Sequence, residues 1–159
     1  MTWREFAAST PELADRARAL LAGPRVALLG TIRGDGSPRI SPIEPYFVEG
    51  HLILGVMARS AKARDLERDP RCVLHSVVVA PDAGDPEVKL SARASDAPEA
   101  VRRAPADAWW SAHPFEDARV VTLSITEAVL VTWDLEGGAM TIVRWTPEAG
   151  TRERTTTYP

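Results

Sequence analysis

Residues 30–71 read GTIRGDGSPRISPIEPYFVEGHLILGVMARSAKARDLERDPR. The pattern is strand, turn, proline-broken strand, hairpin, strand, and then a short helix that opens on Ser60 with Lys62 close behind. A helix N-terminus carries free backbone N–H groups and a partial positive charge, so it attracts an anion such as phosphate. Lys62 falls on the first turn of that helix, and Arg39 comes from a neighbouring strand segment. Together they point to a barrel edge that grips a phosphorylated cofactor.

On either side the hydrophobic period is that of strands. RVALLGTI (25–32) is nearly continuous apolar, the pattern of a strand buried on both faces. Arg33-Gly34-Asp35-Gly36 makes a turn. The strand over 37–48 contains Pro38, Pro42 and Pro45, each of which removes a ladder donor, so it is expected to be bent and partly unpaired at a barrel rim. Glu49-Gly50 leads by a hairpin into HLILGVM (51–57), and Asp69-Pro70 stops the helix that starts at Ser60. Further strands are expected at 72–79, 87–94, 119–126, 128–134 and 139–146, with two short helical pieces between 96 and 113 divided by Pro105. Upstream, Thr10 caps and Pro11 opens a helix over 11–22, whose Leu13, Ala17, Leu20 and Leu21 form one apolar stripe. The polar tail 147–159 is expected to be ordered only against a partner. The sum is one mainly β domain over 1–159, a small antiparallel barrel with peripheral helices.

The chain of 159 residues suits one domain with a full core. A net charge of -3 argues against general nucleic-acid binding and leaves room for a small basic pocket. Cys72 is the only cysteine, which excludes an intrachain disulfide and a multi-cysteine metal site. The N-terminus lacks the apolar run of a secretion signal, and no segment reaches the roughly 20 apolar residues of a membrane span. A cytoplasmic protein is the expectation.

Arg59, Ser60, Lys62 and Arg64 admit two readings. Positive side chains at a helix N-terminus oppose the macrodipole, which favours an anion there. Alternatively the helix is a solvated surface on which Asp65, Glu67 and Asp69 balance the bases. Arg39, with its planar fork of donors, is either a second phosphate ligand or an exposed arginine near a turn. His51, His75 and His113 show no HxxxH or HExxH spacing, so a zinc triad is not expected, and His75 is retained as a haem or substrate contact. Trp109 and Trp110 cannot both face one core from a helix, while Trp133 and Trp145 either fill core or dimer contacts or lie over a flat aromatic cofactor.

GTIRGDGSPRISPIEP, HLILGVM and ARSAKARDLERDPRCVLH together resemble the pyridoxamine 5′-phosphate oxidase-like family, whose split β-barrels bind flavin or deazaflavin coenzymes. The resemblance is close over 25–79 and extends elsewhere in strand order. It implies an antiparallel FMN-binding split barrel in which Arg39, Ser60 and Lys62 hold the cofactor phosphate, with Arg59 and Arg64 beside them. It also implies a flat ring lying against the backbone of Ile40, Ser41, Pro42 and Ile43 and of Val56, Met57 and Ala58. Two subunits complete each site in such proteins, so a homodimer is implied. The implied activity is hydride transfer between FMN, or the deazaflavin coenzyme F-420, and a small organic substrate. A storage or carrier protein without turnover is the alternative, and haem with His75 or His51 near the iron is a further one. Two departures argue against vitamin B6 oxidation: Glu44 stands where such oxidases carry a lysine, and RWTPEAGTRERTTTYP replaces their terminal R-x-H segment.

Overall fold

The proline-rich segment resolves into two short strands that end the sheet on opposite sides, in a computed structural model that describes residues 1–114 and 117–157. The helices are α1 (Trp3–Ser9), α2 (Pro11–Ala22), α3 (Ala61–Arg68) and α4 (Glu99–Arg103). The strands are β1 (Ala27–Ile32), β2 (Pro38–Ile43), β3 (Pro45–Val48), β4 (His51–Met57), β5 (Arg71–Ser76), β6 (Glu87–Asp96), β7 (Ala118–Asp134), β8 (Ala139–Thr146) and β9 (Gly150–Thr157). Every pairing is antiparallel, in the order β2-β1-β5-β6-β7-β4-β3, with β8 on β7 and β9 on β8. Strands β2 and β3 are joined through Glu44 alone yet lie at the two ends of this path. The sheet therefore rolls until its ends meet without pairing, which is a split barrel.

The prolines sit where a missing donor costs nothing. Arg33 N donates to Ser37 O at 2.9 Å, and the register continues that hydrogen-bonded phase through Thr31–Arg39, Leu29–Ser41 and Ala27–Ile43. Pro38, Ile40 and Pro42 thus turn their backbone polar groups away from β1, onto the free edge. Beyond Leu54 strand β4 is likewise open on one side, because β3 pairs only with His51–Leu54. The free edge of β2 and the end of β4 face each other across the split.

The barrel interior is filled by Leu29, Leu52, Leu54, Leu74, Leu90 and Leu123 and plugged by Phe6, Leu13 and Leu21 from the first two helices. Burying a leucine of this kind stabilises by roughly 1.5–3 kcal/mol. Alternate residues of β4 serve a second cluster: Ile53 packs with Val101, Ala108, Trp110 and Val120 outside the barrel. Strand β4 is thus buried on both faces, as its unbroken apolar run requires.

Several elements differ from expectation. Helix α1 precedes the anticipated helix and is held by a capping box between Thr2 and Glu5. In β1 only Ala27, Leu29 and Thr31 are buried, because its other face lies on an open side of the sheet. The stretch 119–134 is one long strand, kept continuous by a bulge opposite Ser91 and Ala92, and Thr126 Oγ1 donates to Ser91 O there. The tail is ordered within the chain itself: Gly150 adopts φ 65° and β9 returns along the whole of β8. Tyr158 and Pro159 of that tail lie outside the described residues. Among the described residues no helix is long and apolar enough to cross a membrane.

Candidate cofactor site

Ser60 caps α3 with extended backbone (φ -72°, ψ 158°), and its Oγ accepts from Ala63 N at 3.3 Å. The amides of Ala61 and Lys62 have no acceptor among the described residues. Lys62, Asp65 and Arg68 recur every third residue and form one polar stripe along β2 and β1. Lys62 Nζ donates to Pro42 O (2.8 Å), and Arg68 Nη2 donates to Ile32 O (2.7 Å). Between them Asp65 accepts from Arg39 Nε (2.6 Å) and Thr31 Oγ1 (3.0 Å) on Oδ2, and from Arg68 Nη2 (3.2 Å) on Oδ1. Helix α3 is thereby fixed against β1 and, through Lys62, tied to the free edge of β2 at the mouth of the split.

Burial pushes the Asp65 carboxyl up, but hydrogen bonds from Arg39, Thr31 and Arg68 outweigh it and hold the group below its ordinary range. Lys62 has no such compensation. Burial lowers its pKa, its one acceptor is a carbonyl, and it makes no ion pair among the described residues. Among the described residues Arg39 is engaged only through Nε, which leaves Nη1 and Nη2 without acceptors there. An under-compensated ammonium, half a guanidinium fork and two helix-end amides all lie at the α3–β2 junction. The chemistry of this donor set fits a phosphate, and two of its four contributors are the charged donors best suited to one.

The remaining sequence candidates divide between surface and core. Ile40 (71% exposed) and Pro42 lie on the outer sheet face, whereas Arg39, Ser41 and Ile43 point the other way. The side chains of Ile43 and Val56 are buried in the core. Met57 is exposed, Ala58 N donates to Asp117 O, and Arg64 Nη1 donates to Arg59 O at 2.7 Å. A cleft of about 580 Å³ runs from Lys62 and Arg59 past Met57 and Gly55 to Trp109 and His113. Neither His51 nor His75 lines it: His51 Nδ1 contacts Thr122 Oγ1, and His75 Nδ1 contacts Ser76 O. Trp145 is sealed in the core against Phe6, which removes it as a platform for a flat ligand. Cys72 is buried and its thiol pushed up to about 12, so it is no nucleophile.

Sequence reasoning treated Asp65 as a surface counter-charge like Glu67 and Asp69. The structure buries it, with 4% of its surface exposed, beneath Arg39. The available signal was its three-residue spacing from both Lys62 and Arg68, which puts all three on one helix face. Trp109 and His113 gave no signal, because their place on the cleft depends on how the α4–β7 connection folds over β4.

The structure is an open antiparallel barrel with a basic helix end at its split. The chain belongs to the pyridoxamine 5′-phosphate oxidase family, whose sequence profile matches residues 13–132. Solved structures share the fold. A haem-binding protein from Mycobacterium smegmatis is similar at TM-score 0.64 and 16% identity, covering 92% of this chain and 88% of that one. An FMN-binding, pyridoxamine 5′-phosphate oxidase-related protein from Nostoc punctiforme gives 0.62 and 11%, covering 99% and 100%. PhzG from Burkholderia lata, solved with tetrahydrophenazine-1-carboxylic acid, gives 0.66 and 14%, covering 98% and 93%.

Proposed function

We propose that this protein is a flavin- or deazaflavin-dependent oxidoreductase that acts on a small organic substrate, with FMN as the first choice of coenzyme. The observation that carries the reading is Lys62, a partly desolvated ammonium without a carboxylate partner among the described residues, set beside the open amides of α3 and the Nη groups of Arg39. In this reading Arg39, Ser60 and Lys62 hold the phosphate, and Arg59 adds positive charge at the rim. Lys62 also ties the edge of β2 to α3. The free backbone edge at Ile40 and the end of β4 at Met57 offer the ring system a flat border. When bound, the coenzyme supplies the hydride chemistry, and the protein needs no nucleophile of its own. A Nostoc relative described as FMN-binding supports the choice of coenzyme.

The working unit in this proposal is a homodimer. Ile40 and Val73 are exposed on the outer face of β2, β1 and β5, where a hollow of about 460 Å³ includes Gly30, Ile32 and Pro38. An apolar face of this kind borders the split, so a second copy seated on it would cover the site.

The test is the absorption spectrum of purified protein, with the released chromophore identified by mass. FMN or the deazaflavin is the expected result. Lys62→Ala should then lose affinity by about 1.5–3 kcal/mol, roughly ten- to a hundredfold, while remaining folded. A folded Lys62→Ala variant with unchanged affinity overturns the phosphate assignment. A carrier would bind the coenzyme equally well but show no turnover with any donor. A Soret band in place of a flavin spectrum would favour the haem reading, which the Mycobacterium smegmatis relative keeps in view.

A further inference from the structure

Asp65 is a costly residue to place under a phosphate. Its carboxylate is buried, it neutralises part of the charge of Arg39, and it sits on the face of α3 that also carries Lys62. For charge alone, a neutral residue there would serve an anion site better. What a carboxylate adds is direction. It engages Arg39 through Nε at 2.6 Å, with its own position set by Thr31 from β1 and Arg68 from the next turn of α3. A guanidinium is rigid and planar, so fixing Nε fixes where Nη1 and Nη2 can donate.

Resting on the phosphate reading above, we propose that Asp65 is a positioning residue that aims the Arg39 fork at the phosphate of the coenzyme. It touches no ligand and acts only through Arg39. Thr31 and Arg68 hold the carboxylate itself, so the specificity for a phosphorylated coenzyme is distributed over three elements that meet beneath the site. The role is consistent with the partial exposure of Arg39, whose side chain is 27% exposed while that of Asp65 is 5% exposed.

Equilibrium binding of FMN and of riboflavin, which lacks the phosphate, separates positioning from mere support of the fold. Asp65→Asn is expected to weaken FMN about tenfold, the worth of one charge-assisted hydrogen bond, and to leave riboflavin unchanged. The sign itself is diagnostic, because removal of a negative charge would otherwise tighten FMN. In an Arg39→Ala background the same substitution should have no effect on the FMN-to-riboflavin ratio, since its route to the ligand is gone. Arg68→Met, which removes a hydrogen bond from the other carboxylate oxygen, should lower the FMN-to-riboflavin ratio in the same direction as Asp65→Asn but by less.

Unchanged or tighter FMN binding in Asp65→Asn, or a parallel loss of both flavins, overturns the positioning role. If Asp65→Asn does not fold, Arg39→Lys decides. Lysine keeps the charge but lacks the rigid planar fork whose outer donors Asp65 would aim, so it should lose most of the FMN preference, and full retention overturns the proposal. The two levels of inference fail differently. An FMN preference that survives both Arg39→Ala and Lys62→Ala removes the phosphate site and the positioning role with it, whereas a preference lost in Arg39→Ala but kept in Asp65→Asn removes only the latter.

Discussion

Gly55 lies in the middle of the wall on which the cleft is built, and adding one methyl group there tests how that wall is made. A Cβ at position 55 would stand 2.1 Å from Trp110 Cε3, 2.5 Å from Cζ3 and 3.0 Å from Cδ2. Ordinary contact begins near 3.4 Å, so the ring would have to retreat by 3.4 − 2.1 = 1.3 Å. It has nowhere to go. Trp110 is fully buried, packs edge-on against Tyr46 at 4.8 Å, and donates from Nε1 to Arg102 O at 3.1 Å. Overpacking costs about 1–3 kcal/mol, and stretching that buried hydrogen bond adds about 1, so Gly55→Ala should lose roughly 2–4 kcal/mol. With a urea slope of about 2 kcal/mol/M, the midpoint falls by about 1–2 M. Urea titration followed by tryptophan fluorescence reads this directly. In a Trp110→Leu background the same methyl should cost little, because the clash has one partner. A single variant as stable as the parent would mean that Trp110 does not lie over Gly55 and that the cleft wall is wrongly described.

Three further outcomes follow from the same geometry. Burial lowers the Lys62 pKa from 10.5, so FMN affinity should fall as pH rises through a value below 10.5, and Lys62→Arg should abolish that fall. A pH-independent affinity in the parent protein up to 10.5 would contradict this. Asp65 is held below its ordinary 3.8 because its hydrogen bonds outweigh its burial, so its stabilising contribution is present above 3.8 and is lost as pH falls through the lower folded value. The stability gap between the parent and Asp65→Asn should therefore be constant from pH 7 to 5 and close below 3.8, as read from urea midpoints; a gap that closes near neutrality contradicts the assigned ionisation. Ile40→Arg should convert a dimer into monomers in sedimentation velocity, and an unaltered dimer would place the interface elsewhere.

How much was legible in the sequence follows the range of the forces involved. The helix over 11–22, the strand over 51–57, the strand over 139–146 and the Ser60 cap match the structure closely. Each depends on residues within a few positions of one another: a hydrophobic period, a proline at a first turn, a hydroxyl three residues before the amide that it caps. The three prolines between 37 and 48 also announced edge strands, because a missing N–H is a local fact wherever the chain goes. Arg39, Ser60 and Lys62 were legible as residue types in a suggestive order, and the split-barrel resemblance brought them together before any coordinates did.

What only the tertiary structure decided involves partners far apart in the chain. Asp65 reads like its acidic neighbours until β1 and β2 close over it, 34 and 26 residues away. Trp109 and Trp110 are interchangeable in sequence, and the absence of a side chain at Gly55 is what admits one of them to the core. The polar tail looks unstructured until β8 offers a full ladder for it to pair with. In each case the free energy comes from a contact whose other half lies elsewhere in the chain. Local propensity sets which elements can form, and burial against a distant surface sets which face of each is turned inward.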